Sequence, residues 1–306
     1  MSQLLISSSP HIHRNKTTTG IMLDVIIALL PATIAGFLIF GLRALSVVMM
    51  CIAVCVLSEA VFNRIAKKTD TIGDLSAVVT GLLLGLNLPA NTPLWQAAVG
   101  SVFAIVIVKC LFGGIGCNLV NPAITARVFM LIAFTDLAKP AFPVDSVASA
   151  TPLAAIAQGE TPEILDLFLG NVGGAIGETC KIALLIGGIY LIARGVISWV
   201  MPVSFIGTVF VLSFLIKDFS LNAALIQVLS GGLIIGAFFM ATDYVTSPAT
   251  AKGKVIFGIG AGIITVLIRF WGSYPEGVSF AILLMNILNP YINSWSRRKL
   301  FGGDKQ

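Results

Sequence analysis

Apolar residues in this chain come in long blocks, without the alternation of half-buried strands or the single stripe of surface helices. A helix that crosses a bilayer needs about 20 mainly apolar residues. Ten blocks meet that demand, at about 21–42, 44–65, 72–90, 94–112, 119–135, 179–197, 199–216, 222–241, 255–271 and 277–293. The pattern predicts an all-α, polytopic integral membrane protein with about ten transmembrane helices. A polar stretch, 136–178, separates the first five blocks from the second five. With five helices per half, the halves run in opposite orientations, so two inverted five-helix repeats are expected. "GLLLGLNLPANTP" (Gly81–Pro93) closes the third helix and "GAFFMATDYVTSPAT" (Gly236–Thr250) closes its counterpart five helices on. Coincidence is the alternative, since many membrane helices end in such turns. The expected organisation is an N-terminal segment (1–20), a first half (21–135), a loop (136–178), a second half (179–293) and a tail (294–306).

Within the loop, "TPLAAIAQ" and "TPEILDLFLG" each open with Thr then Pro. Threonine suits a helix N-cap and proline the first helical position, so two short helices are expected there, with Thr151 as a cap of the first.

Composition agrees with a membrane protein: 57% of residues are hydrophobic, 11% charged, and mean hydropathy is +0.98, against about 25% charged in a soluble domain. The opening "MSQLLISSSPHIHRNK" has no apolar run long enough for a signal-peptide core, so no cleaved leader is expected. Lys and Arg near helix ends are retained in the cytoplasm. With the N-terminus inside, thirteen basic residues face in, and only Arg43, Lys139, Lys181, Lys217 and Arg269 face out. Both termini are therefore expected on the cytoplasmic side of the membrane, with the 136–178 loop outside. The net charge of +5 is then a topology signal and implies no nucleic-acid partner.

Cys51, Cys55, Cys110, Cys117 and Cys180 are odd in number and lack CxxC spacing. Cys51 and Cys55 share a helix face, but two thiols make no metal site and buried thiols pack as small hydrophobes. Ionisable groups inside spans are costly and tend to mark pathways or partners. Asp24, Glu59 and Asp74 lie near helix ends and are candidates for an ion pathway, while Glu59 and Lys109 also suit boundary residues whose side chains snorkel to the interface. Arg127, on the second turn of a helix broken at Asn121–Pro122, is expected to pair with an acidic group or an anionic ligand.

Two broken segments combine glycine, proline and polar residues between apolar blocks: "FGGIGCNLVNPAITARVF" (Phe112–Phe129) and "FMATDYVTSPATAKGK" (Phe239–Lys254). Irregular backbone at membrane depth needs protein or a wet cavity to satisfy its polar groups. Asn118, Asn121 and Asp243 fit a pocket for a planar heterocycle; the solute site of a transporter fits the same residues.

"FGGIGCNLVNPAITARVFMLIAF", "FLGNVGGAIGET", "FMATDYVTSPATAKGK" and "YPEGVSFAILLMNILNP" strongly resemble the RnfD/NqrB family, the flavin-bearing membrane subunits of the Rnf complex and of the sodium-pumping NADH:quinone oxidoreductase. The match runs in order from about Ile21 to Asn293, and a first helix at about residue 21 resembles the Rnf branch, since NqrB-type chains carry a longer N-terminal region. The family carries a Ser/Thr-Gly-Ala-Thr motif whose threonine holds FMN through a phosphoester, and Thr151 of "ASAT" falls on that threonine. Ala148 stands where Ser or Thr is usual and Ser149 where Gly is usual, which puts recognition by the flavin transferase in question. The resemblance also implies a noncovalent riboflavin near Asn118 and Asn121, with Asp243 as a further contact. It implies a subunit that relays electrons between ferredoxin and NAD⁺ with other Rnf subunits, coupled to Na⁺ or H⁺ movement. The alternatives are a solute transporter or channel without redox role, and an assembly protein whose flavin motif has decayed.

Overall fold

The computed structural model describes residues 17–68, 71–134, 137, 141–143, 152–157, 162–272 and 276–297. Thr17 caps α1 (Thr18–Phe40), its hydroxyl accepting from the Gly20 N–H at 3.1 Å. Gly41, at φ +73°, turns the chain straight into α2 (Leu42–Ile65). The first half continues with α3 (Ser76–Leu86), α4 (Leu94–Cys110) and α5 (Pro122–Ala133). The connecting region contributes α6 (Pro152–Ala157) and α7 (Ile164–Leu169). The second half contains α8 (Lys181–Ala193), α9 (Val200–Ile216), α10 (Leu221–Leu229), α11 (Leu233–Met240), α12 (Ala251–Trp271) and α13 (Val278–Ser296). No strand occurs among the described residues; Ala141 and Gly174 form one isolated antiparallel bridge.

Each expected block contains helix, but among the described residues only α1, α2 and α12 are single helices long and apolar enough to cross a membrane by themselves. The expected continuous span at 222–241 is instead two helices, α10 and α11, bent by 67° at Ser230–Gly232. Gly231 sits at φ +65°, a conformation cheap only for glycine, and ends α10 there. The second short helix of the loop begins at Ile164 behind Glu163, two residues later than the Thr161–Pro162 pair suggested.

The surface differs from that of a water-soluble bundle, while the core stays mainly apolar. Leu23, Ile27, Leu30, Ile34 and Leu38 form an exposed apolar stripe along α1, and Ile259, Ile263 and Leu267 do so on α12. Asp24, Glu59, Lys109, Asn121, Arg127 and Asn286 are buried. Long exposed apolar stripes, with buried charge set into an otherwise apolar core, suit hydrocarbon surroundings and not water, so the protein is membrane-embedded. Glycines let helices meet closely: a Cβ on Gly81 of α3 would lie 2.7 Å from the Ile52 Cα of α2.

Glu59 and Lys109 do not snorkel. Their side chains are each 2% exposed and form an ion pair between α2 and α4, with Lys109 Nζ 2.8 and 2.9 Å from the two Glu59 oxygens. Lys109 also donates to Ser76 Oγ at 2.6 Å, and Thr71 donates to Glu59 Oε1 at 2.7 Å. Lys109 lies in the last turns of α4, where bonding widens to five residues, as in Leu111 N–H to Val106 O; this turns the ammonium inward instead of to the interface. Cys51, Cys55 and Cys110 are free and buried, packed as expected, and the described residues contain no cluster of three or more His, Cys, Asp or Glu suited to a metal.

Removing one member of a buried ion pair strands the other. Lys109→Met is expected to destabilise the detergent-solubilised protein by about 3–5 kcal/mol, and Glu59→Gln with Lys109→Met to recover most of that loss. Thermal unfolding of both variants checks the pair.

Candidate functional site

The break between α10 and α11 leaves backbone carbonyls exposed in the protein interior. Two cations satisfy them. Arg269 of α12 donates to Gln227 O at 2.5 Å and Ser230 O at 2.9 Å, and Lys181 at the start of α8 donates to Gly231 O at 2.9 Å and to Glu178 O. Cations at a helix C-terminus also complement its dipole. The cations bring counter-charges with them. Glu178 and Glu276 stand beside Gly231–Gly232, where a Cβ on Gly232 would lie 2.5 Å from Glu276 Oε1 and 3.2 Å from Glu178 Oε2. Glu276 also pairs with Arg127 of α5, which donates in turn to the Asn87 side chain at the end of α3.

The end of α3 is closed from the other side. Gly177 N–H donates to Leu86 O at 2.7 Å and Ile176 N–H to Leu88 O at 3.0 Å, so the segment before α8 is threaded against the break after α3. Two interrupted helices and one irregular segment thus meet around a cleft of about 940 Å³, part of it open to solvent. Arg127, Glu178, Thr179, Lys181 and Glu276 line it together with Leu131, Leu167 and the α6 residues Pro152 and Leu153. Burial raises the Glu276 carboxyl pKa above the usual carboxylate range, with Glu178 adding to the rise and Arg127 opposing it.

The sequence-based expectation of an acidic partner for Arg127 is met by Glu276. Thr151, the expected flavin attachment point, lies outside the described residues; its neighbour in the sequence, Pro152, lines the cleft. Glu178 and Glu276 were visible only as members of the "GAIGET" and "YPEG" motifs, and Lys181 and Arg269 only as outward-facing charges.

Asn121, Asn118 and Asp243 belong to a second junction. Asn121 caps α5, its Oδ1 accepting from Ala123 and Ile124 N–H at 3.0 and 3.3 Å, while its amide nitrogen donates to Met240 O at 3.3 Å and so closes α11. With the Asn286 amide oriented to suit its neighbours, its nitrogen donates to Thr246 O and its oxygen accepts from Asn121 N–H, both at 3.2 Å. Asn286, missed in the sequence, therefore ties α13 to both broken segments. Asp243 accepts from Thr246 Oγ1 at 3.0 Å, and burial raises its carboxyl pKa against the hydroxyl and amide groups that donate to it. Asn118 is half-buried and its Oδ1 has no partner.

The candidate pathway acids are all engaged. Asp24 of α1 accepts from Tyr190 at 3.1 Å and Arg194 at 3.2 Å of α8. Asp74 accepts from Ser76 N–H at 2.8 Å, which joins it through Ser76 to the Glu59–Lys109 pair. The structure brings Glu59 and Asp74 into one network and leaves Asp24 in another.

The fold and the cleft define a polytopic helical membrane protein with interrupted helices around buried charge. The chain belongs to the NQR2, RnfD, RnfE family, whose model matches residues 5–302. It is 48% identical, over 99% of its length and 96% of the relative's, to the D subunit of the Na⁺-translocating ferredoxin:NAD⁺ oxidoreductase complex of Acetobacterium woodii. It is 41% identical, over 97% and 96%, to the D subunit of the proton-translocating ferredoxin:NAD⁺ oxidoreductase complex of Clostridium ljungdahlii. Identity to the D subunit of the ion-translocating oxidoreductase complex of Cronobacter sakazakii is 34%, over 97% and 98%.

Asn121→Ala removes the α5 cap and the tie to Met240 together. Loss of such a cap costs about 1–2 kcal/mol, and a lowered melting temperature in detergent, with helix content retained by circular dichroism, is the expected result.

Proposed function

We propose that this chain is the flavin-bearing membrane subunit of an Rnf-type complex, relaying electrons between ferredoxin and NAD⁺ in a bacterial inner membrane. The observation that carries the reading is the match along nearly the whole chain to the D subunits of two ferredoxin:NAD⁺ oxidoreductase complexes. Those relatives are named for Na⁺ in one case and protons in the other, so either ion suits the coupling proposed here. The other subunits of the complex, a flavin transferase for maturation and the lipid bilayer are the partners this reading requires.

Two cofactors belong to the proposal. FMN esterified to Thr151 would lie beside α6, whose Pro152 and Leu153 line the 940 Å³ cleft. Five buried polar atoms without a partner, on Arg127, Glu178, Thr179, Arg269 and Glu276, support a polar occupant there. Riboflavin is proposed at the second junction, where the unpartnered Asn118 Oδ1 supports a ligand and Asp243 offers a further contact. Asn121, whose amide oxygen and nitrogen serve two helix ends, acts there by positioning. When bound, a flavin supplies one- and two-electron chemistry; the chain's task is to orient it, exclude water and set the surrounding charge. Asp24, Glu59 and Asp74 remain the proposed ion-pathway residues, and each must exchange its present partner to bind a travelling ion.

The protein co-produced with a flavin transferase is expected to fluoresce yellow as a denatured gel band, and its intact mass to exceed the polypeptide by one FMN less water. Thr151→Ala should abolish both signals. A wild-type chain that stays unmodified while the host flavinylates other targets would remove the flavin reading.

A further inference from the structure

The unpartnered atoms around the cleft have a pattern that restricts what fits them. Among the described residues, eight buried side-chain polar atoms lack a partner, and five belong to this one cluster. Glu178 Oε2 and Glu276 Oε1 are acceptors; Arg127 Nε and Arg269 Nε are donors; Thr179 Oγ1 can be either, on a residue only 1% exposed. Arg127 meets Glu276 through Nη2 and Oε2 alone, so its Nε and the carboxylate's Oε1 are not committed to each other; the Gly232 N–H faces the carboxylate, and no side chain meets Oε1. Such atoms are expensive unless something satisfies them.

A lone cation is disfavoured, because Arg127, Lys181 and Arg269 outnumber Glu178 and Glu276 by three charges to two. A simple anion is disfavoured by the two carboxylate oxygens converging on Gly232. What satisfies both is one rigid group offering an N–H to a carboxylate and an adjacent C=O to a guanidinium. The imide edge of a pyrimidinedione has that sequence of groups, and the isoalloxazine ring of a flavin ends in such an edge. Space and reach agree: Gly231 and Gly232 have no side chains to fill the floor, and Leu153 lies against Gly231, its Cδ1 2.8 Å from where a Cβ would be.

We infer that Glu276 and Arg127 are positioning residues that receive the imide edge of the flavin, Glu276 Oε1 accepting its N3–H and Arg127 Nε donating to a neighbouring ring carbonyl. This rests on the proposed attachment of FMN to Thr151. It assigns an orientation to the ring, with the pyrimidine end inward and the dimethylbenzene end toward the apolar wall of the cleft at Leu131 and Leu167. A carboxylate at the imide edge disfavours negative charge on the ring, and the guanidinium favours it, so the pair sets the potential from both sides.

The test uses the full chain carrying covalent flavin, in wild type and as Glu276→Gln, with three readouts. Intact mass reports attachment. Resonance Raman of the flavin in H₂O and D₂O reports the N3–H hydrogen bond. Redox titration of the visible spectrum reports the midpoint potential. The expected result is an unchanged FMN mass, a weakened deuterium-sensitive band shift, and a tenfold displacement of the two-electron equilibrium toward reduced flavin, about 30 mV upward. Flavin present by mass with neither spectrum nor potential altered overturns the orientation and leaves the attachment standing. Wild-type chain without the FMN mass overturns both. Should Glu276→Gln fail to fold, the wild-type band suffices, because a deuterium shift equal to that of FMN free in water overturns the inference without any variant.

Discussion

Unsatisfied backbone in a medium without water is the constraint on which this structure depends. Where α10 ends at Leu229, the carbonyls of Gln227, Ser230 and Gly231 are left without helical partners, in a cleft only partly open to solvent. Arg269 and Lys181 replace them, and importing two cations into a low-dielectric interior is itself costly unless opposite charge comes along. Glu178 and Glu276 are that charge. Arg127 and Asn87 extend the same compensation to the end of α3. The charged cleft is thus a consequence of breaking a helix inside a membrane protein, and its functional use is built on a structural necessity.

The second junction solves the same problem with neutral groups. Asn121 closes the start of α5 and the end of α11 with one amide, and Asn286 joins them to α13. An amide carries donor and acceptor together, so it can join a helix N-terminus to a C-terminus without importing charge. The contrast gives two neighbouring junctions, both of which reach Met240 through Asn87 or Asn121, different electrostatics: one is rich in ion pairs, the other in amides and hydroxyls.

The helical blocks were legible because a bilayer-length apolar run has few alternative structures, and the blocks at 94–112 and 199–216 match α4 and α9 nearly end to end. The 67° bend at Ser230–Gly232 was not, since hydropathy averages over a break of three small residues and sees one span. Arg127 was legible because it sits on the second turn of a helix already broken at Asn121–Pro122. Lys109 misled: it lies close enough to a helix end to snorkel, and only the widened last turns of α4 and the facing Glu59 keep it inside. Glu178 and Glu276 sit in connections between helices, where charge is ordinary, so no one-dimensional signal separated them from solvated turn residues.

Charge balance also relates the helix break to electron transfer. Among the described residues, Arg127, Lys181 and Arg269 face Glu178 and Glu276 around the break, a formal excess of one positive charge, set by carbonyls that need capping and by the acids that fit beside Gly232. Buried excess charge is costly in a medium where attraction between unit charges falls off slowly. An electron placed on a ring held there would cancel the excess, whereas a cation would double it. With the proposed flavin bound there, the arrangement that closes α10 would favour its reduced form, and Glu276 on the acidic side would keep that preference from becoming a trap. A relay needs both tendencies, because a site that only accepted electrons would not pass them on.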